Sequence, residues 1–516
     1  MAGESGSGYE VDASAKHADG DYAGAIAAYE AAFAAYKSER DWPAAARAAR
    51  TIGWLHAFVY GDGAVRDGWA AKSRSLLERA GDGTSEGWLR LEQARRGSDL
   101  GEQRAQYLEL IELARAEDDA DLECDATASL GMMLVFSGLV DEGMGHLDLA
   151  LASICGGEVT ELTVVEECVC GLLFACERTQ DVARAEQWLR ATDGVLRRGE
   201  TSAIAGHCRA HHAGILVAAG RWSDAEREVD RALELAPEGT AVRDAALCRL
   251  ADLRLRQGRH EEAAVLLEGL EHLDEAILPA ASLQLATGRP DLALEVLDRA
   301  LAGGDLPDFL EAPLLARAID CHLALGELDA ARQRSDRLTA IARDQSSRVV
   351  QALAAVARGR LCVASGNGDA RACWHQAMTL YASVKMPVEV ASVRLELARV
   401  LAGTRPEVAI AEATAALQAF DVAGARAGAD EAAALLRSLG GPARTGPKRS
   451  TPLTKREQEV LDLLGHGLTN AEIGHRLFIS PKTAEHHVGR VLAKLGLRSR
   501  SEAAAYATRS GISGGS

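Results

Sequence analysis

Through the first four-fifths of this chain, glycines recur that are followed five residues later by a second small residue. The pairs are Gly20/Ala25, Gly138/Gly143, Gly220/Ala225, Gly258/Ala263, Gly288/Ala293 and Gly326/Ala331. From Gly220 the turn glycines, continued by Gly366 and Gly403, stand 38, 30, 38, 40 and 37 residues apart. Asp181 with Ala185 keeps the same register 40 residues ahead of Ala225. A glycine supplies the left-handed residue that ends a helix. A small side chain early in the next helix lets the two backbones approach closely. One helix hairpin cannot bury its apolar face alone, so such units must stack into a continuous core. A hydrophobic content of 47% with only 4% aromatic fits closely packed helices rather than sheets. The expected fold class is all-α.

Gly220-Arg221-Trp222-Ser223-Asp224-Ala225-Glu226 and Gly258-Arg259-His260-Glu261-Glu262-Ala263 resemble tetratricopeptide repeats. The resemblance implies an α-solenoid over residues 1–439, of about nine to eleven units. Trp54, Trp69, Trp88, Trp188, Trp222 and Trp374 are expected to pack between helices, one or two of them lining a concave groove. Residues 440–450 then read as a linker: Gly440 to Pro447 carries three glycines and two prolines, which cannot continue a helix.

Beyond the linker, four helix starts follow in quick succession. Thr454 with Glu457, Thr469 with Glu472 and Ser499 with Glu502 have capping-box spacing. Ser480 precedes Pro481, which suits the first helical position because its missing N–H costs nothing there. Only a short turn around Phe478-Ile479 separates the second helix from the third, the spacing of a helix-turn-helix. In the third helix Ala484, Val488, Val491, Leu492 and Leu495 form an apolar stripe at helical period. Lys482, His486, Gly489, Arg490 and Ala493 fall opposite, flanked by Glu485 and His487. A helix lying in the DNA major groove needs an apolar back and a front of donors, acceptors and small residues. Lys482 stands beside the helix N-terminus, where a phosphate is favoured. Charge agrees: residues 445–516 hold 11 Lys+Arg against 6 Asp+Glu, a formal +5, while the rest holds 46 against 69, a formal −23. The partner expected is double-stranded DNA; the bland alternative is a small bundle whose polar face is simply solvated.

Leu453-Thr454, Arg456-Glu457, Glu459-Val460-Leu461, Gly467-Leu468-Thr469-Asn470, Glu472-Ile473, Leu477-Phe478-Ile479-Ser480, Lys494-Leu495-Gly496 and Ser499-Arg500 resemble the LuxR-type helix-turn-helix. The resemblance spans residues 451–512. It implies a four-helix effector domain, like that of response regulators, docking as a homodimer through the last helix. Base-reading positions would be Glu485, His486 and Gly489, with Lys482, Thr483, His487 and Arg490 nearer the DNA backbone; Lys494 completes the candidate set. Two residues depart from the family pattern. Ala484-Glu485 stands where Val followed by Lys or Arg is common, and an acid can accept from cytosine N4. Gly474 replaces the usual Ala, at a helix cost of about 0.5–1 kcal/mol.

Other chemistry is poorly represented. No Gly-Lys pair exists to build a phosphate-binding loop, and neither a Gly-x-Ser-x-Gly elbow nor a His-Glu-x-x-His helix is present. Catalysis, a bound cofactor and a resident metal are not expected. The first twenty residues carry no secretory signal and no apolar run reaches membrane-spanning length. Ten cysteines without short regular spacing fit reduced thiols, so a cytoplasmic protein is expected. Cys168, Cys170, Cys176, Cys208, His211 and His212 form the one cluster that suggests a ligand set. The 40-residue register sets Cys208 against Cys168 and turns Cys170 away, and without Cys-x-x-Cys pairs the reading is buried packing. The surrounding stretch, Ala175 to His211, resembles mid-sized actinobacterial LuxR-type regulators. The expected function is a sequence-specific transcriptional regulator whose repeats sense a ligand or protein partner. The rival is an interaction scaffold with a degenerate helix-turn-helix, of which Glu485 and Gly489 would be the symptoms.

Overall fold

The computed structural model describes residues 5–81, 83–97, 99–196, 203–303, 306–441, 455–477, 479–495, 497 and 499–509. All regular structure among them is helical. The chain divides into two compact units, Met1–Leu439 and Gly440–Ser516.

The first unit is a run of antiparallel helix hairpins. First helices of successive hairpins stack side by side: Ala120–Phe136, Leu162–Thr179, Ala203–Ala218, Ala241–Arg256, Asp274–Ala286, Asp308–Leu325 and Arg348–Ser365 each pack on the next. The turn glycines Gly20, Gly138, Gly220, Gly258, Gly288, Gly326 and Gly366 all take positive φ, between 68° and 89°. Ala25, Ala225, Ala263, Ala293 and Ala331, five residues after their glycines, are fully buried. At the Gly138 turn the small residue is Gly143, and a methyl group built there would stand 2.5 Å from the Gly131 carbonyl oxygen. Only glycine permits that approach.

The glycine spacing and the turns differ in two ways. Gly403 is not a left-handed turn residue; Thr404 and Arg405 instead donate to the Leu401 carbonyl before Pro406 starts the next helix. Conversely, Arg40 and Gln180 take the left-handed position without being glycine, at φ 61° each, and Ala45 and Ala185 are buried five residues later. The turn geometry therefore recurs more often than the glycines do.

Hairpins far apart in sequence also touch, so the first unit coils back on itself. Ser346 donates through its N–H and hydroxyl to the Gly138 carbonyl, at 3.2 and 2.5 Å. Arg256 pairs with Glu389 at 2.8 Å. Methyl groups built on Gly220 and Gly258 would lie 3.0 Å from Pro387 and 3.3 Å from Ala427. The turn glycines thus serve local geometry and close approach between coils at once. A π-helical turn, His56–Tyr60, extends the helix Trp42–Leu55 and packs on Ala241–Arg256.

Aromatic side chains from hairpins far apart in sequence form one chain of ring contacts. Trp54 stacks on Phe58 at 4.6 Å, and Phe58 meets His207 at 4.7 Å. His207 meets His211, His211 meets Phe174, and Phe174 meets Phe136 and Phe309, with Phe136 stacked on Phe309 at 4.2 Å. Trp88, Trp188 and Trp222 pack with their N–H groups satisfied by Asp119, Asp148 and the Val217 carbonyl. No helix among the described residues is long and apolar enough to cross a membrane.

Candidate nucleic-acid interface

Among its described residues the second unit contains four helices, Lys455–Gly465, Asn470–Arg476, Pro481–Leu495 and Arg500–Arg509. Local sequence explains their starts. Thr469 and Glu472 form a full capping box: the Thr469 hydroxyl accepts from the Glu472 N–H at 3.3 Å, and the Thr469 N–H donates to the Glu472 carboxylate at 2.7 Å. That backbone hydrogen bond holds the Glu472 carboxyl below the ordinary glutamate range. Ser480 accepts from the Thr483 N–H at 3.1 Å, with Pro481 first in the helix, and Ser499 accepts from the Glu502 N–H at 3.2 Å. Thr454 lies outside the described residues.

A shared apolar core fixes the angles between these helices. Val460, Leu461 and Leu464 of the first helix pack with Ile473, Ala484, Val488, Val491, Ala503 and Ala507, all buried. The stripe anticipated in the third helix is the one buried, with Leu492 and Leu495 at its edge. Leu477 and Ile479 pack the turn into the same core, and Ile479 donates to the Gly474 carbonyl at 2.9 Å. Arg456 reaches from the first helix to the Leu477 carbonyl while pairing with Glu459 at 2.7 Å, tying down the end of the second helix. Arg500 donates to the Asn470 side chain at 2.7 Å and ties the fourth helix to the start of the second. A methyl group on Gly465 would meet Ala507 at 2.8 Å, so the first and fourth helices touch there backbone to side chain.

With that back buried, Lys482, Thr483, Glu485, Gly489 and Arg490 are exposed along the front. Lys482 pairs with Glu485 at 3.0 Å, one helical turn apart. A methyl group built on Gly489 meets nothing within 4 Å, so no contact inside the unit requires glycine there. His487 differs from its neighbours: it is half-buried and its Nδ1 is shielded without a hydrogen-bond partner. His486 and Lys494 belong to the same helix, and their side chains lie outside the described residues.

In the first unit the thiols pair differently from expectation. Cys208 faces Cys170, with sulfurs 3.3 Å apart, and Cys168 faces Cys124 at 3.8 Å. The offsets between facing residues are set by how far each helix slides along its neighbour, which an average repeat length does not supply. Cys176 is buried, and burial pushes its thiol above the ordinary cysteine range. His211 donates to Glu177 at 2.8 Å, and His212 stands 3.7 Å from Glu228. Among the described residues no three His, Cys, Asp or Glu groups are placed to hold a metal. Sequence reasoning missed the buried network of Glu177, Arg249 and His211 altogether. Its members are 34 and 72 residues apart, and no local pattern joins them.

Residues 451–507 match the family of bacterial regulatory proteins known as luxR. The transcriptional regulatory protein LnrK of Bacillus subtilis is 45% identical over 67 residues, 13% of this chain and 30% of that protein. The DNA-binding transcriptional activator DevR/DosR of Mycobacterium tuberculosis is 46% identical over 77 residues, 15% of this chain and 35% of that protein. A putative HTH-type transcriptional regulator of Mycobacterium bovis is 39% identical over 88 residues, 17% of this chain and 10% of that protein. The similarity thus spans about a third or less of these relatives. Over the whole chain, a crystal structure described as the APC/C hetero-tetramer Cut9-Hcn1 aligns with a TM-score of 0.39 at 12% identity, covering 98% of this chain and 97% of that one. The four helices, their shared core and the family match agree: the segment 451–507 of this chain is a luxR-family helix-turn-helix domain.

Proposed function

We propose that this protein is a sequence-specific DNA-binding transcriptional regulator. The observation that carries the reading is the exposed front of the helix Pro481–Leu495, in a domain whose family consists of bacterial regulatory proteins. Lys482, Thr483, Arg490 and Lys494 hold the DNA backbone, Glu485, His486 and Gly489 face base edges, and His487 orients the helix against the phosphates. Gly489 supports this assignment, since a mid-helix glycine costs stability and nothing in the unit requires it. The helix Arg500–Arg509 forms the dimer contact on DNA. The repeat array senses a ligand or protein partner and acts in the cytoplasm by binding, without catalysis.

The test is a mobility-shift titration on DNA upstream of the protein's own gene and on random duplex, across a salt series, together with selection of bound genomic fragments. Specific complexes that outlast random duplex as salt rises support the reading. Equal affinity for both at every salt concentration would favour the scaffold with a degenerate helix-turn-helix.

A further inference from the structure

Cysteines face one another in pairs across three neighbouring first helices of the array. Cys124 of Ala120–Phe136 faces Cys168 of Leu162–Thr179 with sulfurs 3.8 Å apart. Cys170, also on Leu162–Thr179, faces Cys208 of Ala203–Ala218 at 3.3 Å. All four thiols are buried. The closer pair lies where other contacts also hold the two helices together. His211, about one turn beyond Cys208, hydrogen-bonds Glu177 at 2.8 Å. Gly214, a further turn on, leaves the room that the Glu177 carboxylate occupies. Cys170 and Cys208 are thus kept side by side although 38 residues separate them in sequence.

A disulfide needs sulfurs about 2.05 Å apart, so closing the gap from 3.3 Å asks only for a small shift of two packed helices. We propose that Cys170 and Cys208 are an oxidisable dithiol, converted by a hydroperoxide to a disulfide that staples Leu162–Thr179 to Ala203–Ala218. One sulfur, as thiolate, attacks a peroxide oxygen; the O–O bond breaks, and a sulfenic acid forms as the displaced oxygen leaves with the thiol proton as water or alcohol. The second sulfur then attacks the sulfenic sulfur. The S–S bond forms, the S–O bond breaks, and hydroxide departs with the second thiol proton as water. The two sulfurs give up two electrons in all, and the peroxide takes them. The hydrogen bond shared with Cys208, and burial, hold the Cys170 thiol well above the ordinary cysteine range. Thiolate is therefore scarce at neutral pH, and the pair responds to sustained oxidant, faster as pH rises. His211 also joins the ring contacts that run through Phe174 to Phe136 and Phe309, so a staple one turn away bears on the junction of distant hairpins. This deepens the sensor reading of the array and rests on it for its biological role, although the bridge itself is measured without reference to DNA.

The experiment exposes the folded full chain to hydrogen peroxide in mildly alkaline buffer. The chain carries Cys155→Ser, Cys362→Ser and Cys373→Ser, which remove the thiols that are not buried. Non-reducing peptide mapping is expected to find Cys170 joined to Cys208, with two thiols lost per chain and restored by dithiothreitol. The oxidised chain should melt above the reduced one, because a cross-link restricts the unfolded state. Cys208→Ala should abolish the bridge, with Cys170→Ala as the second variant in case the first does not fold. Cys176→Ser, which removes a buried thiol outside the pair, should leave the bridge intact. A folded chain that keeps all its thiols, thiols lost without a bridge, a bridge that forms only in urea, or Cys208 joined to Cys168 overturns the proposal. Operator affinity of the oxidised and reduced chains is read separately. Equal affinity would remove the sensor role while a mapped bridge stands, so the two failures are distinguishable.

Discussion

Lys482 Nζ stands 3.0 Å from Glu485 Oε2 on the exposed front of the helix Pro481–Leu495. A surface ion pair of this kind contributes less than about 1 kcal/mol, so a DNA phosphate can take over the lysine at small cost. Glu485 then faces the groove as an acid, favourable only opposite a cytosine amino group. Glu485→Gln is expected to tighten binding to random duplex several-fold by removing repulsion, while binding to the operator weakens by about 1–3 kcal/mol. Titrations on both DNAs at matched salt check this, and a parallel gain on both would remove Glu485 from base reading.

Gly489→Ala separates folding from recognition. The added methyl meets nothing in the unit, so the helix should gain about 0.5–1 kcal/mol. Operator affinity should fall at least several-fold, because the methyl lies where a base edge or sugar approaches. Denaturant midpoints and DNA titrations on the same preparation test the two halves, and unchanged DNA affinity would contradict close approach at this position.

Arg490→Ala and Lys482→Ala should weaken binding to all sequences and reduce the slope of log affinity against log salt by about one unit each. His486→Ala should instead relax base preference at nearly constant slope. A slope unaltered in Arg490→Ala would show that the residue does not neutralise a phosphate.

Glu177 gives the array a defined acid response. Burial alone would raise its carboxyl, but Arg249, the His211 hydrogen bond and Arg178 together hold it well below the ordinary glutamate value. Between that depressed value and the unfolded value of about 4.3, the unfolded chain binds more protons, so stability rises with pH. The contribution is present above about pH 4.3 and is lost as pH falls toward the folded value. Glu177→Gln leaves Arg249 uncompensated and should cost about 3–5 kcal/mol near neutrality, a deficit that narrows in acid. Urea midpoints across pH 3–7, a range set by the ordinary carboxylate values, measure it. A deficit independent of pH would point to packing instead of charge.

The formal −23 outside residues 445–516 predicts electrostatic restraint of the +5 segment. Residues 445–516 alone should bind random duplex more tightly than the full chain, most clearly at low salt where screening is weak. Oligomeric state must be measured alongside, since dimerisation through the array would add avidity and reverse the order. A monomeric full chain binding as tightly as the isolated segment would exclude restraint.

Much of the candidate interface was legible in sequence because its determinants are local. Thr469/Glu472, Ser480-Pro481 and Ser499 mark helix starts through hydrogen bonds spanning three residues, and the stripe from Ala484 to Leu495 follows from helical period alone. Gly20, Gly138 and Gly220 likewise announced turns because φ near +80° favours one residue type. Even there the rule missed Arg40 and Gln180, which take the same conformation under tertiary constraint. What tertiary structure alone decided is everything set by how helices slide and coil. Cys208 met Cys170, not Cys168; His487 turned partly inward while Glu485 and Gly489 stayed exposed; Phe136 came to stack on Phe309; and Glu177 went to Arg249 and His211. Those outcomes depend on side-chain volumes summed over many stacked hairpins. Periodicity determines which face of a helix is buried, but the residue that it meets there depends on axial shifts that accumulate from repeat to repeat.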